Sequence, residues 1–255
     1  DLLQPGLVFV SDAAAYQRAI DAVIPTDTPM ISVRGQVAGR RQASFASLLE
    51  QPGGAEAEAA FASTGPDSVA KFLFTSGSTR LPKAVITTQR MLCANQQMLL
   101  QTFPVFGEEP PVLVDWLPWN HTFGGSHNIG IVLYNGGSFY LDDGKPTAQG
   151  FDQTLRNLKE VSPTAYLTVP KGWEELVSAL EQDAELRECF FKRVSLFFFA
   201  AAGLSQSVWD RLDRVAEQHC GERIRMMAGL GMTEAAPSCT FTTGPLSMAG
   251  YIGLP

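Results

Sequence analysis

The sequence has no apolar run approaching the ~20 residues that a membrane-spanning helix needs. Its longest dense apolar stretch, residues 194–202, is of a length that predicts a buried strand. An excess of positive charge is also missing, since 19 Lys and Arg stand against 26 Asp and Glu, giving a net charge of -7. This balance argues against nucleic-acid and anionic-membrane partners. We therefore expect no membrane span and no nucleic-acid partner.

Paired cysteines are missing as well. Cys93, Cys189, Cys220 and Cys239 are scattered, without the spacing of a zinc site or a disulfide framework. This pattern predicts reduced, buried thiols in a cytoplasmic protein. No signal peptide is recognisable, and because the chain begins with Asp1 rather than Met, we expect natural residues to precede it.

The length of 255 residues is enough for one large domain with its own core. Residues 51–68 are rich in Ala, Gly and Pro and resemble a linker. We expect a partial N-terminal subdomain with this linker at residues 1–69 and a core subdomain at residues 70–255. In the first part, residues 7–10 predict a strand, and a helix capped by Ser11 or Asp12 is predicted to run to Val23.

From residue 70 onward, predicted strands alternate with predicted helices. This alternation is typical of an α/β fold with mostly parallel sheets layered with helices. The predicted strands are residues 72–74, 112–116, 138–141, 165–169, 195–199 and 223–227. The predicted helices are residues 88–102, 152–160, 170–180 and 205–219, the last with Ser205 as N-cap and an apolar face formed by Val208, Trp209, Leu212, Val215 and Ala216.

The loop at residues 75–83 has the composition of a polyphosphate site. Its hydroxyl groups are hydrogen-bond donors, and Gly77 lets the backbone approach a ligand closely. Lys83 adds a point charge suited to phosphate. It is not a Walker loop, because Pro82 precedes the lysine and the β-branched residues 85–88 predict a second strand rather than a helix. By composition alone, a Ser/Thr-rich surface turn would be favoured. The hydroxyl residues of the loop are Thr75, Ser76, Ser78 and Thr79.

Three other unusual segments also follow predicted strands. They are residues 117–125, which contain His121 and Phe123, residues 200–204, and residues 228–234. In open α/β sheets, ligands bind beyond the carboxyl ends of strands. We therefore expect all four segments to share one cleft. His127 and His219 receive no role, since the His121–His127 spacing offers no third metal ligand.

The order of residues 74–83 resembles the signature loop of the adenylate-forming superfamily, which includes acyl-CoA and aryl-CoA ligases, adenylation domains and luciferases. Arg80 and Ala84 depart from the usual glycines. Residues 229–234 resemble a second motif of the superfamily. The resemblance implies that Glu234 binds Mg²⁺, that Thr233 reaches the α-phosphate, and that Lys83 and His121 also act in catalysis. It implies an ATP site formed by Thr75, Ser76, Gly77, Ser78, Thr79, Lys83, Ala201, Ala202, Gly203, Gly229, Leu230, Gly231 and Thr233, and an acid site formed by His121, Phe123, Ala202, Gly231 and Pro237.

Residues 115–125, 133–137 and 142–146 look like the feruloyl-CoA synthetase branch of the superfamily. This resemblance implies a large N-terminal domain, present in part, that activates a hydroxycinnamate such as ferulate with ATP and Mg²⁺ and transfers it to CoA. The alternatives are a medium-chain or other acyl-CoA ligase and a nucleotide-binding module without catalysis. A P-loop phosphotransferase is disfavoured by the order of the loop residues.

Residues 250–255 resemble the start of a later segment of the superfamily. The ribose-binding Asp, the hinge and the small C-terminal lid domain with its catalytic Lys are not in this sequence. We therefore expect the chain to be the central portion of a longer enzyme that does not turn over by itself.

Overall fold

The structure is a computed structural model that describes residues 3–75, 82–147, 149–246 and 248–255. Four residues predicted to bind phosphate, Ser76, Gly77, Ser78 and Thr79, lie outside the described residues. The chain forms two compact units, the first ending at Gly65 and the second beginning at Pro66.

The first unit is a small parallel sheet with helices. Asp12 caps its first helix by accepting from the backbone N–H groups of Ala14 and Ala15, as the sequence predicts. Its small core includes Ile20 and Met30. Its elements are β1 (Val8–Asp12), α1 (Ala13–Val23), β2 (Met30–Arg34), β3 (Gln42–Ser44), α2 (Phe45–Leu49) and α3 (Ala55–Ala62), with the strand order β1-β2-β3.

Helix α3 lies inside the segment that resembles a linker. The segment is rich in Ala and Glu, which are strong helix formers, and two glutamates lie in the first turn of α3 where the helix dipole favours them. None of its residues is buried.

The second unit alternates strands and helices as predicted. Its strands are β4 (Val69–Thr75), β5 (Lys83–Thr88), β6 (Val112–Asp115), β7 (Ser138–Leu141), β8 (Ala165–Thr168), β9 (Leu196–Phe199), β10 (Arg225–Gly231) and β11 (Ser238–Phe241). Its helices are α4 (Gln89–Thr102), α5 (Val105–Glu108), a π-helix (Phe123–Asn128), α6 (Ile129–Asn135), α7 (Phe151–Glu160), α8 (Pro170–Gln182), α9 (Ala184–Phe190) and α10 (Gln206–Cys220), and Thr233–Ala235 form a 3₁₀ turn.

The central sheet has the order β11-β10-β9-β8. Strands β8, β9 and β10 are parallel, and β11 is an antiparallel edge strand. Phe197 and Phe199 face a core formed with α8 and α10, whereas Leu196 and Phe198 face a second core on the opposite side. Because both faces are covered, the strand is apolar without alternation, as is typical of parallel sheets. Separate two-stranded sheets are formed by β6 with β7, in parallel, and by β4 with β5, in antiparallel.

Several local predictions are confirmed. The predicted phosphate loop connects two strands, β4 and β5, and Ser205 caps α10. The predicted apolar face of α10 is buried, from Val208 to Ala216. These elements follow from local periodicity and capping chemistry alone.

Other predictions need correction. The strand predicted at residues 223–227 ends at Met227, but β10 continues to Gly231 because β11 pairs with it, with a register shift between Leu230 and Gly231. The thiols were expected to be buried, but Cys93 and Cys220 are exposed on helices. None of the helices in the described residues combines the length and apolarity of a membrane span.

Candidate functional site

A cavity in the second unit collects three of the four segments predicted to share a cleft. It holds about 50 Å³, enough for a few water molecules, so a larger ligand enters only if side chains move. We call it the candidate cavity. It is lined by His121, Thr122, Phe123, His127, Phe198, Ala200, Ala201, Gly229, Leu230, Gly231, Pro237, Ser238 and Phe241.

The π-helix forms one wall of the candidate cavity. A β-carbon on Gly125 would lie 2.0 Å from the carbonyl oxygen of Trp119, so only glycine lets the turn after β6 close this tightly. Lys71 on β4 donates from Nζ to the carbonyl oxygen of Gly125 at 2.5 Å. Burial lowers the pKa of Lys71. The segment after β6 forms a turn followed by this π-helix.

His121 lies at the exposed end of the wall, and Phe123 is buried behind it. The backbone N–H of Phe123 donates to His121 Nδ1 at 3.2 Å. In the neutral ring the proton therefore sits on Nε2, and His121 offers a hydrogen-bond donor at the open side of the cavity.

The ends of β9 and β10 form the facing wall. Ala201 lines the cavity with φ 74°, a left-handed conformation that is strained for a residue with a β-carbon. Gly231 packs closely on Pro237, since a β-carbon on Gly231 would lie 2.9 Å from the Pro237 carbonyl oxygen. The exposed residues Ala202 and Gly203 are not among the lining residues that the structure describes.

The 3₁₀ turn that carries Thr233 and Glu234 follows β10 directly. Strand β5, which begins at Lys83, lies against this turn. Thr75 pairs with Lys83 in the register of β4 and β5. Glu234 and Lys83 are exposed, and Thr233 is half-buried. The structure therefore brings the strand that begins at Lys83 against the turn that carries the predicted Mg²⁺ ligand.

Within the described residues, no group of three or more His, Cys, Asp or Glu side chains could hold a metal ion. Mg²⁺ is commonly held by one or two carboxylates together with water and substrate phosphates. A single exposed carboxylate such as that of Glu234 suits a site of this kind. It does not suit a site in which the protein supplies every ligand.

Asn95 on α4 anchors the chain just after the 3₁₀ turn. Its side chain is 1% exposed and contacts the carbonyl oxygens of Ala235 and Ser238 at 3.4 Å. With its amide turned over, it instead donates to Ala236 and to the Ser238 hydroxyl and accepts from the Ser238 N–H, which satisfies more groups. Because the turned amide has the better partners, we adopt it. In both orientations Asn95 fixes this turn to α4.

A buried polar network lies behind the cavity. Asn128 Nδ2 donates to Asp115 Oδ2 at 2.8 Å, and Asn128 Oδ1 lies 2.8 Å from Nδ1 of His127. Burial raises the pKa of Asp115 to about 6, against the opposing effect of hydrogen bonds from Leu117 and Asn128. Burial also lowers the pKa of His127 to about 4, so its imidazole is neutral at pH 7.

His127 and Asn95 are site residues that the sequence did not indicate. A histidine among apolar residues is typical of an ordinary core position, and an Asn in the middle of a helix is typical of a solvated one. The one available signal was the position of His127 six residues after His121, within reach of the same wall.

Residues 4–255 match the protein family described as AMP-binding enzyme. The chain is 27% identical over 203 residues to the peroxisomal long chain acyl-CoA synthetase 6 of Arabidopsis thaliana, covering 74% of this chain and 27% of the relative. It also resembles the solved structure of ATP-bound MatB from Rhodopseudomonas palustris, with a TM-score of 0.64 and 21% identity over 99% of this chain and 45% of that one.

A third similar structure is the luciferase-like enzyme from the nonluminescent Zophobas morio mealworm. Its TM-score is 0.70 at 17% identity, over 95% of this chain and 52% of that one. The chain thus spans about a quarter of the length of the Arabidopsis relative and about half of these two structures. At these identities the solved structures establish the fold, which is that of the N-terminal domain of adenylate-forming enzymes.

Proposed function

The chain belongs to the AMP-binding enzyme family, within the adenylate-forming superfamily, and we propose that the protein carrying it activates a carboxylic acid with ATP and transfers the acyl group to CoA. The observation that carries this proposal is that β5, the strand that begins at Lys83, lies against the turn of Thr233 and Glu234, and that this turn follows a strand that lines a cavity with aromatic walls. Phosphate-binding groups and an acid-binding cavity are what adenylation requires at one place.

In the proposed first step, a carboxylate oxygen of the acid attacks the α-phosphorus of ATP, and the bond to pyrophosphate breaks. Lys83 would neutralise charge on the phosphates and the departing pyrophosphate, and the Thr233 hydroxyl would donate to the α-phosphate. Glu234 would hold Mg²⁺, which supplies neutralising positive charge to the phosphate oxygens when bound. In the second step, the CoA sulfur attacks the acyl carbonyl, AMP leaves, and the thiol proton is released.

For the acid, we favour a planar aromatic compound such as a hydroxycinnamate. Phe123, Phe198 and Phe241 line the candidate cavity, and Phe123 and Phe198 are buried. Aromatic walls suit a flat ring, which gains stacking and edge contacts in addition to burial. Gly229 and Gly231 add no side-chain volume at the opposite wall.

A fatty acid is the second candidate, because the relatives include enzymes named as long-chain and medium-chain ligases. An alkyl chain of that length would need a long tunnel, whereas the candidate cavity is small and lined by aromatic rings. The aromatic lining of the cavity therefore favours the aromatic acid.

The test is acid-dependent exchange of labelled pyrophosphate into ATP, measured with the full-length protein. Exchange with 4-hydroxycinnamate should exceed exchange with octanoate and palmitate by at least tenfold in kcat/KM. Equal or better use of octanoate would remove the aromatic assignment and leave acid activation standing. Nucleotide binding without exchange for any acid would favour a binding module without catalysis.

A further inference from the structure

The imidazole of His127 forms part of the buried end of the candidate cavity. It is 3% exposed and stacks on Phe198, with ring centroids 5.3 Å apart and an interplanar angle of 19°. Phe123 meets it edge-on at 5.4 Å. Packing against two aromatic rings fixes the plane of the imidazole, so its two nitrogens have defined directions.

The hydrogen-bond network fixes which nitrogen of His127 carries the proton. The Asn128 amide nitrogen faces two acceptors, Asp115 Oδ2 at 2.8 Å and the Leu167 carbonyl oxygen at 3.4 Å. The amide oxygen of Asn128 must therefore face His127, and it can only accept. His127 Nδ1 thus carries the proton and donates, which leaves Nε2 with a lone pair.

That lone pair is unused in the described part of the chain. His127 Nε2 is buried and has no hydrogen-bond partner among the described residues. Protonation cannot relieve this, because burial keeps the ring neutral at pH 7. A buried acceptor without a partner is costly, so a ligand that brings a donor to this position recovers a hydrogen bond.

The two histidines of the cavity wall therefore differ in their hydrogen-bonding role and in how deeply they are buried. His121, at the open end, presents a donor, and His127, at the buried end, presents an acceptor. An acid whose carboxylate stays at the exposed side of the cavity would place its far end toward the buried imidazole of His127.

We propose that His127 is a specificity-determining residue whose Nε2 accepts a hydrogen bond from a hydroxyl group at the end of the acid remote from the carboxylate. The inference rests on the proposed acid activation, and it narrows the substrate class to hydroxylated aromatic acids. An ether or an unsubstituted ring at the same position leaves Nε2 without a partner. A second carboxylate there would be disfavoured, because its oxygen and Nε2 are both hydrogen-bond acceptors.

The experiment compares three acids of one shape, 4-hydroxycinnamate, 4-methoxycinnamate and cinnamate, by pyrophosphate exchange with the full-length protein. The wild type should use the hydroxylated acid with a kcat/KM about ten- to hundredfold above the methoxy acid. His127→Phe keeps a ring but removes the acceptor, and it should reduce this preference to within about threefold. His127→Gln keeps a hydrogen-bond acceptor and should retain part of the preference for the hydroxylated acid. His219→Phe, outside the lining of the cavity, is the matched control and should behave as wild type.

A second measurement needs neither activity nor a variant. In ¹⁵N spectra of the wild type, the ring of His127 should carry its proton on Nδ1, and the Nε2 resonance should move on addition of 4-hydroxycinnamate but not of the methoxy acid. A proton on Nε2, or an equal response to both acids, would overturn the inference.

The outcomes separate the two proposals. If no acid supports exchange, the proposed function fails, while the spectra still decide the role of His127. If acids are activated but the wild type does not distinguish hydroxyl from methoxy, or His127→Phe keeps the preference, the role of His127 is wrong and acid activation stands.

Discussion

Lys71 Nζ donates to the carbonyl oxygen of Gly125 at 2.5 Å, and this bond ties strand β4 to the π-helix that carries the wall of the candidate cavity. The contact spans 54 positions in the sequence. The position of the hairpin formed by β4 and β5 is thereby linked to the wall that carries His121 and Phe123.

Replacement of this lysine should destabilise the fold. Lys71→Met keeps the apolar stem but removes the charged donor from a half-buried carbonyl, so we expect the free energy of unfolding to fall by about 1.5 kcal/mol. Urea titration measures the change. Lys192→Met, at an exposed lysine, should change it by less than about 0.5 kcal/mol. Equal effects of the two substitutions would show that the bond to Gly125 contributes nothing specific.

The network of Asp115, Asn128 and His127 predicts two opposing effects of pH on stability. The folded state raises the pKa of Asp115 to about 6, so its contribution to stability is present at low pH and is lost as pH rises from about 4 to 6. The folded state lowers the pKa of His127 to about 4, so its contribution is present above about pH 6.5 and is lost as pH falls toward 4. Each effect is on the order of 3 kcal/mol at most, and in the wild type they largely cancel.

Asp115→Asn should expose the effect of His127 alone. Between pH 6.5 and 4 the free energy of unfolding of this variant should fall more steeply with decreasing pH than that of the wild type. Urea titrations across this range measure the slope, and a constant loss from the altered bond to Asn128 does not affect it. Parallel slopes for the two proteins would contradict the shift assigned to Asp115.

The fold was predictable wherever local chemistry decides it. The cap at Ser205 and the apolar stripe from Val208 to Ala216 need only neighbouring residues, and so does the pair of strands around the predicted phosphate loop. The π-helix was not predictable, because Gly124 and Gly125 are poor helix formers and the turn is shaped by close packing on Leu117 and Trp119.

The candidate site was predictable in part for the same reason. Its segments lie at the carboxyl ends of strands or just after them, so topology places His121, Ala201 and Gly229 around one cavity. The position of the proton on His127 depends on the bond between Asn128 and Asp115, which lie 13 positions apart in the sequence. A contact of that kind is fixed by tertiary packing and leaves no periodic pattern in the sequence.

Lys83 should be needed for ATP far more than for the acid. Lys83→Ala in the full-length protein removes a charge-assisted contact worth about 1.5–3 kcal/mol, so kcat/KM for ATP should fall about ten- to hundredfold. The dissociation constant of the acid, measured by calorimetry, should change by less than about threefold, since Lys83 does not line the cavity. Lys192→Ala is the matched control and should leave both values unchanged. A parallel loss for ATP and acid would indicate a disturbed hairpin instead of a lost phosphate contact.

Glu234 should act mainly in the first of the two proposed steps. We assign the exposed carboxylate of Glu234, on the 3₁₀ turn, to Mg²⁺. The positive charge of the metal neutralises the phosphate oxygens, and this matters most while pyrophosphate departs. Glu234→Gln keeps the size of the side chain but removes its charge, so acyl-AMP formation should fall by at least tenfold, with a higher Mg²⁺ requirement. Conversion of preformed acyl-AMP to the CoA thioester should change by less than about threefold, because no pyrophosphate leaves in that step.

The control for loss of one negative charge is Glu222→Gln, at an exposed glutamate just before β10, and it should affect neither step. If Glu234→Gln adenylates normally at limiting Mg²⁺, or slows both steps equally, the carboxylate does not hold the metal.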